Sequence, residues 1–198
     1  VAVPSAVLRP VDPDLARFAQ LLEEREIPCM VVGSVASTAW GEPRTTIDID
    51  LVIAATVEDA ERIAGCYPQA RYYTPPIETL RRELARGPRG TFNIIDSDTG
   101  LKADLYPGVS DPLNAWGMAR RQPLELEGGT IFIAPPACVI AGKLRYFAMS
   151  RQDKHLRDIR GMLRLAGPHI DHHVVDHWAR VAGVEAEWRD CQARPGAE

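Results

Sequence analysis

The chain has 198 residues, of which 45% are hydrophobic and 25% charged, and its formal net charge at pH 7 is −4. These values are typical of an ordinary globular protein with one core and space for a helical extension. An acidic balance argues against non-specific coating of nucleic acid, which needs many cations facing phosphates. The sequence shows neither a secretory signal pattern nor a run of about 20 apolar residues, so we expect a cytoplasmic protein with no membrane partner.

The first part of the chain alternates helix and strand signals. A helix is predicted from Asp12 to about Arg25, because an aspartate can cap it and apolar residues recur with a helical period. The apolar run 29–32 predicts a buried strand ending at Gly33, and a short helix follows over 34–40. A strand is predicted over 46–53, followed by a helix from the capping-box-like segment 56–59 to about Cys66.

The rest of the chain changes from mixed to helical character. We predict a helix over 77–86, strands over 91–95 and 101–106 around a turn, and a hairpin of 124–126 with 130–133. Helices are predicted over 136–149, 153–165 and 170–181, with another after Gly183 and an irregular tail over 194–198. The fold class is therefore α/β, with a mixed-sheet core over 1–134 and a helical part over 135–198.

Gly33-Ser34 stands between a predicted strand and a predicted helix. The first N–H groups of a helix lack internal partners and carry the positive end of its dipole. A glycine there lets a phosphate approach the backbone, and a serine adds a hydroxyl donor. Taken alone, this pair is more often a turn glycine followed by a capping serine.

Two aspartates alternate with apolar residues in the predicted strand 46–53. Asp48 and Asp50 share one face, whereas Ile47, Ile49 and Leu51 are expected on the other, because strand side chains alternate. Two carboxylates one strand step apart are suited to divalent cations such as Mg²⁺ or Mn²⁺. The alternative is an acidic strand edge facing solvent, although aspartate is a poor strand former.

A further strand repeats the pattern with Lys102 and Asp104 on one face. If this strand lies beside the first, Asp104 completes a trio of carboxylates that binds metal or takes a proton from an attacking hydroxyl. Alone, a Lys-x-Asp strand is usually a solvated face.

These three segments together resemble the polymerase-beta-like nucleotidyltransferase superfamily over roughly residues 28–105. The run 44–51 is similar to minimal, abortive-infection or toxin–antitoxin types, and Lys143 to Ile159 is similar to their helical tail. The resemblance implies that the Gly33-Ser34 loop holds a nucleoside triphosphate. It also implies that Asp48 and Asp50 hold Mg²⁺, with Asp104 as the third carboxylate.

Several other residues are candidates with simpler alternatives. Arg44 precedes the acidic strand and is a candidate phosphate contact or an exposed loop arginine. Lys143 interrupts an apolar helix face, so it either points into the site or lies at the edge of that face. Lys154 is expected to form a surface ion pair with Asp158, four residues on.

The remaining motifs give weaker signals. Four scattered cysteines lack CxxC spacing, so neither a zinc knuckle nor a redox motif is predicted. His169, His173 and His177 recur every four residues, which suits Zn²⁺, but a solvated helix face is favoured. Tyr72 and Tyr73 are candidates for base stacking, although core packing is commoner for strand aromatics.

The function expected from the sequence is transfer of a nucleoside monophosphate from a triphosphate to a hydroxyl. RNA, including a tRNA 3′ end, is placed ahead of a protein acceptor, because arginines cluster at 81–89 and 120–121. A cognate toxin or antitoxin is a further expected partner. The alternatives are a non-catalytic binding or antitoxin module with the same fold, and an enzyme acting on a small molecule such as an antibiotic.

Overall fold

A computed structural model describes residues 8–195; residues 196–198 of the predicted irregular tail lie outside the described residues. The strands are β1 (Cys29–Val32), β2 (Asp48–Ile53), β3 (Tyr72–Tyr73), β4 (Phe92–Asp96), β5 (Lys102–Tyr106), β6 (Gln122–Leu126) and β7 (Gly129–Ile133). The helices are α1 (Pro13–Glu23), α2 (Gly33–Trp40), α3 (Ala60–Cys66), α4 (Ile77–Ala85), α5 (Pro112–Met118), α6 (Pro136–Ser150), α7 (Lys154–Ala166), α8 (His172–Ala182) and α9 (Glu185–Ala193).

The predicted mixed α/β fold is confirmed. All seven strands form one sheet in the order β3-β4-β5-β2-β1-β7-β6. β2 runs parallel to β5, and β1 runs parallel to β7, whereas the other neighbours are antiparallel. The parallel β2–β5 pair at the centre is the one that carries the aspartates.

Helix α1 shows how the local sequence fixes an element. The Asp12 side chain accepts hydrogen bonds from the N–H groups of Asp14 and Leu15, while Pro13 occupies the first turn, where it needs no N–H partner. Phe18 and Leu22, four residues apart, are fully buried against the sheet side of the helix. The predicted cap and stripe are both present.

Helices α6 to α9 follow the last strand, with α6 and α7 packed on α2 and α8 and α9 packed on them in turn. α6 contacts α2, α5, α7 and α8. The indole N–H of Trp40, at the end of α2, donates to the carbonyl of Ala134 at 2.7 Å, which ties α2 to the segment entering α6. This packing places α6 and α7 across from the aspartate strands.

The structure adds elements that the sequence analysis did not predict. Helix α5 was missed, although Asp111 and Pro112 form a cap and first turn of the same kind as in α1. The short edge strand β3 was also missed. The segment after Thr56 starts as a 3₁₀ turn over Val57–Asp59 before α3 begins. No helix within residues 8–195 is long and apolar enough to cross a membrane.

Candidate active site

A cavity of about 810 Å³ lies between the ends of β1 and β2 on one side and helices α6 and α7 on the other. Its size is within the range of ordinary small-molecule sites. Six of the seven residues predicted from the sequence to form the site line it: Gly33, Ser34, Arg44, Asp48, Asp50 and Lys143. Asp104, the seventh, is on the adjacent strand and does not line the cavity.

Gly33 opens helix α2 in a conformation that favours glycine. Its φ is +64°, in the left-handed region. A Cβ at this position would lie 1.9 Å from Oδ2 of Asp50, well inside van der Waals contact. The Asp50 carboxylate therefore occupies the space that any larger residue 33 would need. Val32 gives α2 no side-chain cap, so the first N–H groups of the helix are left for another acceptor.

We predict that Gly33→Ala lowers the free energy of unfolding by about 1–2 kcal/mol, because alanine is disfavoured at this positive φ. The substitution also forces the Asp50 carboxylate to move, so nucleotide binding should be lost by more than the stability change explains. Chemical denaturation and calorimetry measure both effects. Gly65→Ala is the matched control, since a Cβ there meets nothing within 4 Å and alanine favours helix α3. Unchanged nucleotide affinity in Gly33→Ala would contradict the assignment of Gly33 and Asp50 to the nucleotide site.

The register of β2 and β5 brings the three aspartates together. Asp50 lies directly beside Asp104, and Asp48 lies directly beside Lys102. Asp48 Oδ1 accepts a hydrogen bond from the Thr46 hydroxyl at 2.6 Å, and Asp50 Oδ1 accepts one from Tyr106 at 3.2 Å. Ile47 was expected to share the opposite strand face with Ile49 and Leu51, but it precedes β2, which begins at Asp48, and is 66% exposed.

Asp104 is engaged on both carboxylate oxygens. The side-chain amide of Asn93, opposite it on β4, donates to Oδ1, and Lys102 Nζ lies 2.9 Å from Oδ2. The same ammonium is 3.8 Å from Asp48 Oδ2. Lys102 therefore supplies a cationic neighbour to two of the three aspartates. Alternation places Lys102 on the face of the carboxylates.

The electrostatics of Asp50 follow from its position. Burial raises the pKa of Asp50, and the charges of Asp48 and Asp104 raise it further, whereas the hydrogen bond from Tyr106 and the charge of Lys143 lower it. Burial beside Asp50 also raises the pKa of Tyr106. An ionised Asp50 thus carries unfavourable free energy that a bound cation would offset.

The donor atoms suit one divalent cation between Asp48 and Asp50. Both residues line the cavity, and one oxygen of each carboxylate accepts a hydrogen bond from a hydroxyl group. Carboxylate oxygens are the hard ligands that such cations prefer. The Oδ2 atom of Asp50 fits beside residue 33 only because that residue is glycine and has no Cβ. Within residues 8–195, the histidine, cysteine, aspartate and glutamate side chains form no preassembled group of three or more that could hold a metal. Asp104 would join such a group only after releasing Lys102.

On the opposite wall of the cavity, the cationic side chains of Lys143 and Arg44 lie beside the Asp158 carboxylate. Lys143 is only 5% exposed, and its Nζ lies 2.6 Å from Asp158 Oδ2. Arg44 approaches Asp158 Oδ1 at 3.9 Å and donates to the Ser34 hydroxyl at 2.6 Å. The surface pair of Lys154 with Asp158, expected from the sequence, is wrong, since Asp158 turns inward to Lys143. Burial lowers the pKa of Lys143, and Asp158 opposes that shift.

Two features of the cavity wall were missed in the sequence. Arg145 forms a two-bond ion pair with Asp111, with both contacts at 3.0 Å, and so joins α6 to the start of α5. The Tyr146 ring stacks on His155, with centroids 6.0 Å apart and planes 18° apart. The Asp-Pro signal at 111–112 could have located the first feature. The second joins two helices, and no spacing in the sequence indicates it.

The arginines proposed to face RNA are largely paired with carboxylates. Arg81 contacts Glu61 and Glu78, and both Arg82 and Arg86 contact Glu83. Their positive charge is therefore offset locally. Arg121 is similarly bound to Glu23 and lies over the Phe132 ring.

The other weaker motifs have structural roles. His169 lies in a 3₁₀ turn ahead of α8, so the three histidines do not share one helix. Asp96 is buried, pairs with Arg71 and accepts N–H groups of the predicted turn. Tyr72 packs edge-on against the core rings of Phe18 and Tyr67.

Comparison with known proteins identifies the class of fold. No protein-family model matches the chain, and no curated protein matches its sequence significantly. Among solved structures, an antigenic nucleotidyltransferase-like protein from Paracoccidioides brasiliensis is similar over 96% of both chains, with 14% identity and a TM-score of 0.54. The antibiotic-resistance factor ANT(2″)-Ia matches over 88% of this chain and 95% of its own, with 16% identity and a TM-score of 0.48.

The chain therefore shares the fold of that nucleotidyltransferase-like protein, which is the fold that the sequence resemblance implied. The fold does not distinguish the abortive-infection or toxin–antitoxin type, which stays a prediction. A putative nucleotidyltransferase from H. pylori is more distant, with 12% identity, a TM-score of 0.38 and coverage of 91% of this chain and 89% of its own.

Proposed function

We propose that the protein is a metal-dependent nucleotidyltransferase that moves a nucleoside monophosphate from a triphosphate to a hydroxyl acceptor. One observation carries the proposal: Asp48 and Asp50 face a cavity whose rim is the glycine-serine start of helix α2. Carboxylates for a cation and a helix N-terminus for phosphate are the two requirements of this chemistry, and here they meet at one residue pair, Gly33 and Asp50.

One set of protein groups would bind the phosphates of the triphosphate, and another would hold the cation. The N–H groups at the start of α2, the Ser34 hydroxyl and the side chains of Arg44 and Lys143 bind and orient the phosphates. Asp48 and Asp50 would hold a divalent cation, which would supply positive charge to offset the negative charge that develops on transfer. Since Lys143 is now bound to Asp158, phosphate must compete with that carboxylate for its ammonium.

The stacked pair Tyr146 and His155 is the proposed contact for the nucleobase. Both residues line the cavity, and Tyr146 is 52% exposed. Every base offers a flat face, so such stacking is worth about 1–3 kcal/mol without selecting one base. This surface replaces Tyr72, which lies in the core, as the aromatic site for the nucleotide.

We predict that Tyr146→Ala raises the Kd for triphosphates by about tenfold, whereas Tyr146→Phe changes it little, because the ring supplies the contact. Tyr73→Ala is the matched control, since Tyr73 is 55% exposed but lies on edge strand β3, away from the cavity. Equilibrium binding of a fluorescent triphosphate measures the effect. Equal triphosphate affinity of Tyr146→Ala and the wild type would show that the nucleobase does not bind at this surface.

The acceptor is proposed to be a hydroxyl of RNA, such as a tRNA 3′ end, or of a protein. The paired arginines of α4 give little support to RNA. A small-molecule hydroxyl is a second candidate, because the volume of the cavity is in the range of small-molecule sites. A role in a toxin–antitoxin pair rests on the sequence resemblance.

Thermal unfolding tests whether a triphosphate binds at all. We expect Mg²⁺ with a matching nucleoside triphosphate to raise the unfolding temperature, since a ligand at a hundredfold excess over Kd adds about 2.7 kcal/mol. The chain has only three lysines, Lys102, Lys143 and Lys154, and all lie at the site. Amine acetylation read by mass spectrometry should therefore show nucleotide protection of Lys154, which is the exposed lysine of the cavity lining. Absence of both effects with all four triphosphates would refute the proposed function.

A further inference from the structure

Lys102 lies among the carboxylates where a second cation would be expected. Its Nζ is 2.9 Å from Asp104 Oδ2 and 3.8 Å from Asp48 Oδ2, so the ammonium bridges the outer two members of the trio.

The position of Lys102 is set by the sheet and not by a flexible surface contact. Parallel pairing puts Lys102 directly beside Asp48, and Asp104 directly beside Asp50. Adjacent strands lie about 4.8 Å apart, so one ammonium on β5 can reach a carboxylate on each strand. Asn93 of β4 binds the other oxygen of Asp104 and directs Oδ2 to Lys102.

We propose that Lys102 serves as a built-in cation, so that the site holds one divalent metal, on Asp48 and Asp50, in place of two. This inference rests on the proposed function. In two-metal sites the ions lie about 3.5–4 Å apart and each needs its own carboxylate oxygens. Here Asp104 Oδ2 is already bound to nitrogen. The trio and Lys102 together have a net charge of −2, which a single divalent cation neutralises.

The arrangement gives Asp104 a positioning role. Asp104 does not line the cavity, and both of its oxygens are engaged by Lys102 and Asn93. It orients the ammonium beside Asp48. Removing the lysine charge should turn Asp104 into a metal ligand. Asp104 Oδ2 and Asp48 Oδ2 would then face the position that the Lys102 ammonium fills in the wild type.

Counting bound Mn²⁺ by electron paramagnetic resonance, with no nucleotide or acceptor, tests the inference. We expect one Mn²⁺ per chain for the wild type and two for Lys102→Met. Lys154→Met is the matched control and should stay at one, since Lys154 lies at the cavity rim and has no ion pair within residues 8–195. Circular dichroism verifies that each variant is folded.

A second pair of variants answers the same question without changing Lys102. Asp104→Asn should leave the affinity for the single Mn²⁺ within about threefold, whereas Asp50→Asn should lower it at least tenfold. Two Mn²⁺ in the wild type, or an equal loss in Asp104→Asn and Asp50→Asn, would overturn the lysine assignment and leave the proposed function standing. No bound Mn²⁺ in the wild type and in Lys102→Met would overturn both.

Discussion

Asp50→Asn is expected to lower nucleotidyl transfer by at least about a hundredfold while the folded state becomes more stable. The loss follows because metal-assisted charge stabilisation is worth several kcal/mol, and each 1.36 kcal/mol is tenfold in rate. The gain follows because Asp50 is buried beside Asp48 and Asp104, which raises its pKa. Asp48→Asn should lose transfer similarly. Steady-state rates and urea unfolding measure the two effects.

The stability gain should depend on pH in a defined direction. Since the folded state holds the Asp50 proton more tightly than the unfolded state, ionisation of Asp50 destabilises the fold at pH values above its folded pKa. The advantage of Asp50→Asn is therefore fully present there. It shrinks as the pH falls and disappears below about 3.9, the ordinary aspartate pKa, because Asp50 is then protonated in both states.

Asp98→Asn is the matched control for this prediction. Asp98 belongs to the turn between β4 and β5 and is not among the residues that line the cavity, and its side chain is 71% exposed. The control should keep both rate and stability. A variant Asp50→Asn that is inactive and less stable than the wild type at neutral pH would show that Asp50 is a structural residue.

The second large effect is expected at Lys143. Removing one member of a buried ion pair typically costs about 3–5 kcal/mol, because the partner charge stays desolvated. Lys143→Ala leaves Asp158 with only Arg44, at 3.9 Å. We therefore expect a loss near 3 kcal/mol in unfolding free energy, together with a triphosphate affinity lowered about 10–100-fold, since a charged hydrogen bond is worth about 1.5–3 kcal/mol. Denaturation and calorimetry at a temperature where the variant is folded measure both.

Two further variants separate these contributions. Lys154→Ala should change stability and affinity little, because Lys154 is exposed at the cavity rim. The double variant Lys143→Met with Asp158→Asn should recover much of the stability, since neither charge is then buried alone, but it should not recover triphosphate affinity. Equal binding by Lys143→Ala and Lys154→Ala would contradict the inward role of Lys143.

Local patterns in the sequence were sufficient to predict the acidic strand face and the glycine-serine loop between β1 and α2. Asp48 and Asp50 share a face because strand side chains alternate, and Gly33-Ser34 follows a strand that ends in apolar residues. The choice of glycine at position 33 has a physical cause that only the structure shows, namely the Asp50 carboxylate in the space of its missing Cβ.

Contacts between segments that are distant along the chain could not be predicted from the sequence. Asp158 could pair with Lys154 one turn away or with Lys143 on another helix, and only the packing of α6 against α7 decides for Lys143. In the same way, Lys102 could bind Asp104 on its own strand, but its approach to Asp48 depends on the β2–β5 register. The order of strands, and therefore the neighbours of each charge, is a tertiary property.

Transfer of label is the most direct test of the account. The protein is incubated with Mg²⁺, each α-phosphate-labelled nucleoside triphosphate in turn and a cell extract, and the products are treated with ribonuclease or protease. We expect the wild type, with at least one triphosphate, to attach label to an acceptor and release pyrophosphate, and the Asp48→Asn, Asp50→Asn double variant to do neither. The treatment that releases the label distinguishes an RNA, protein or small-molecule acceptor. If no acceptor becomes labelled with any triphosphate, or if the double variant labels as well as the wild type, the assignment of these carboxylates to nucleotidyl transfer is wrong.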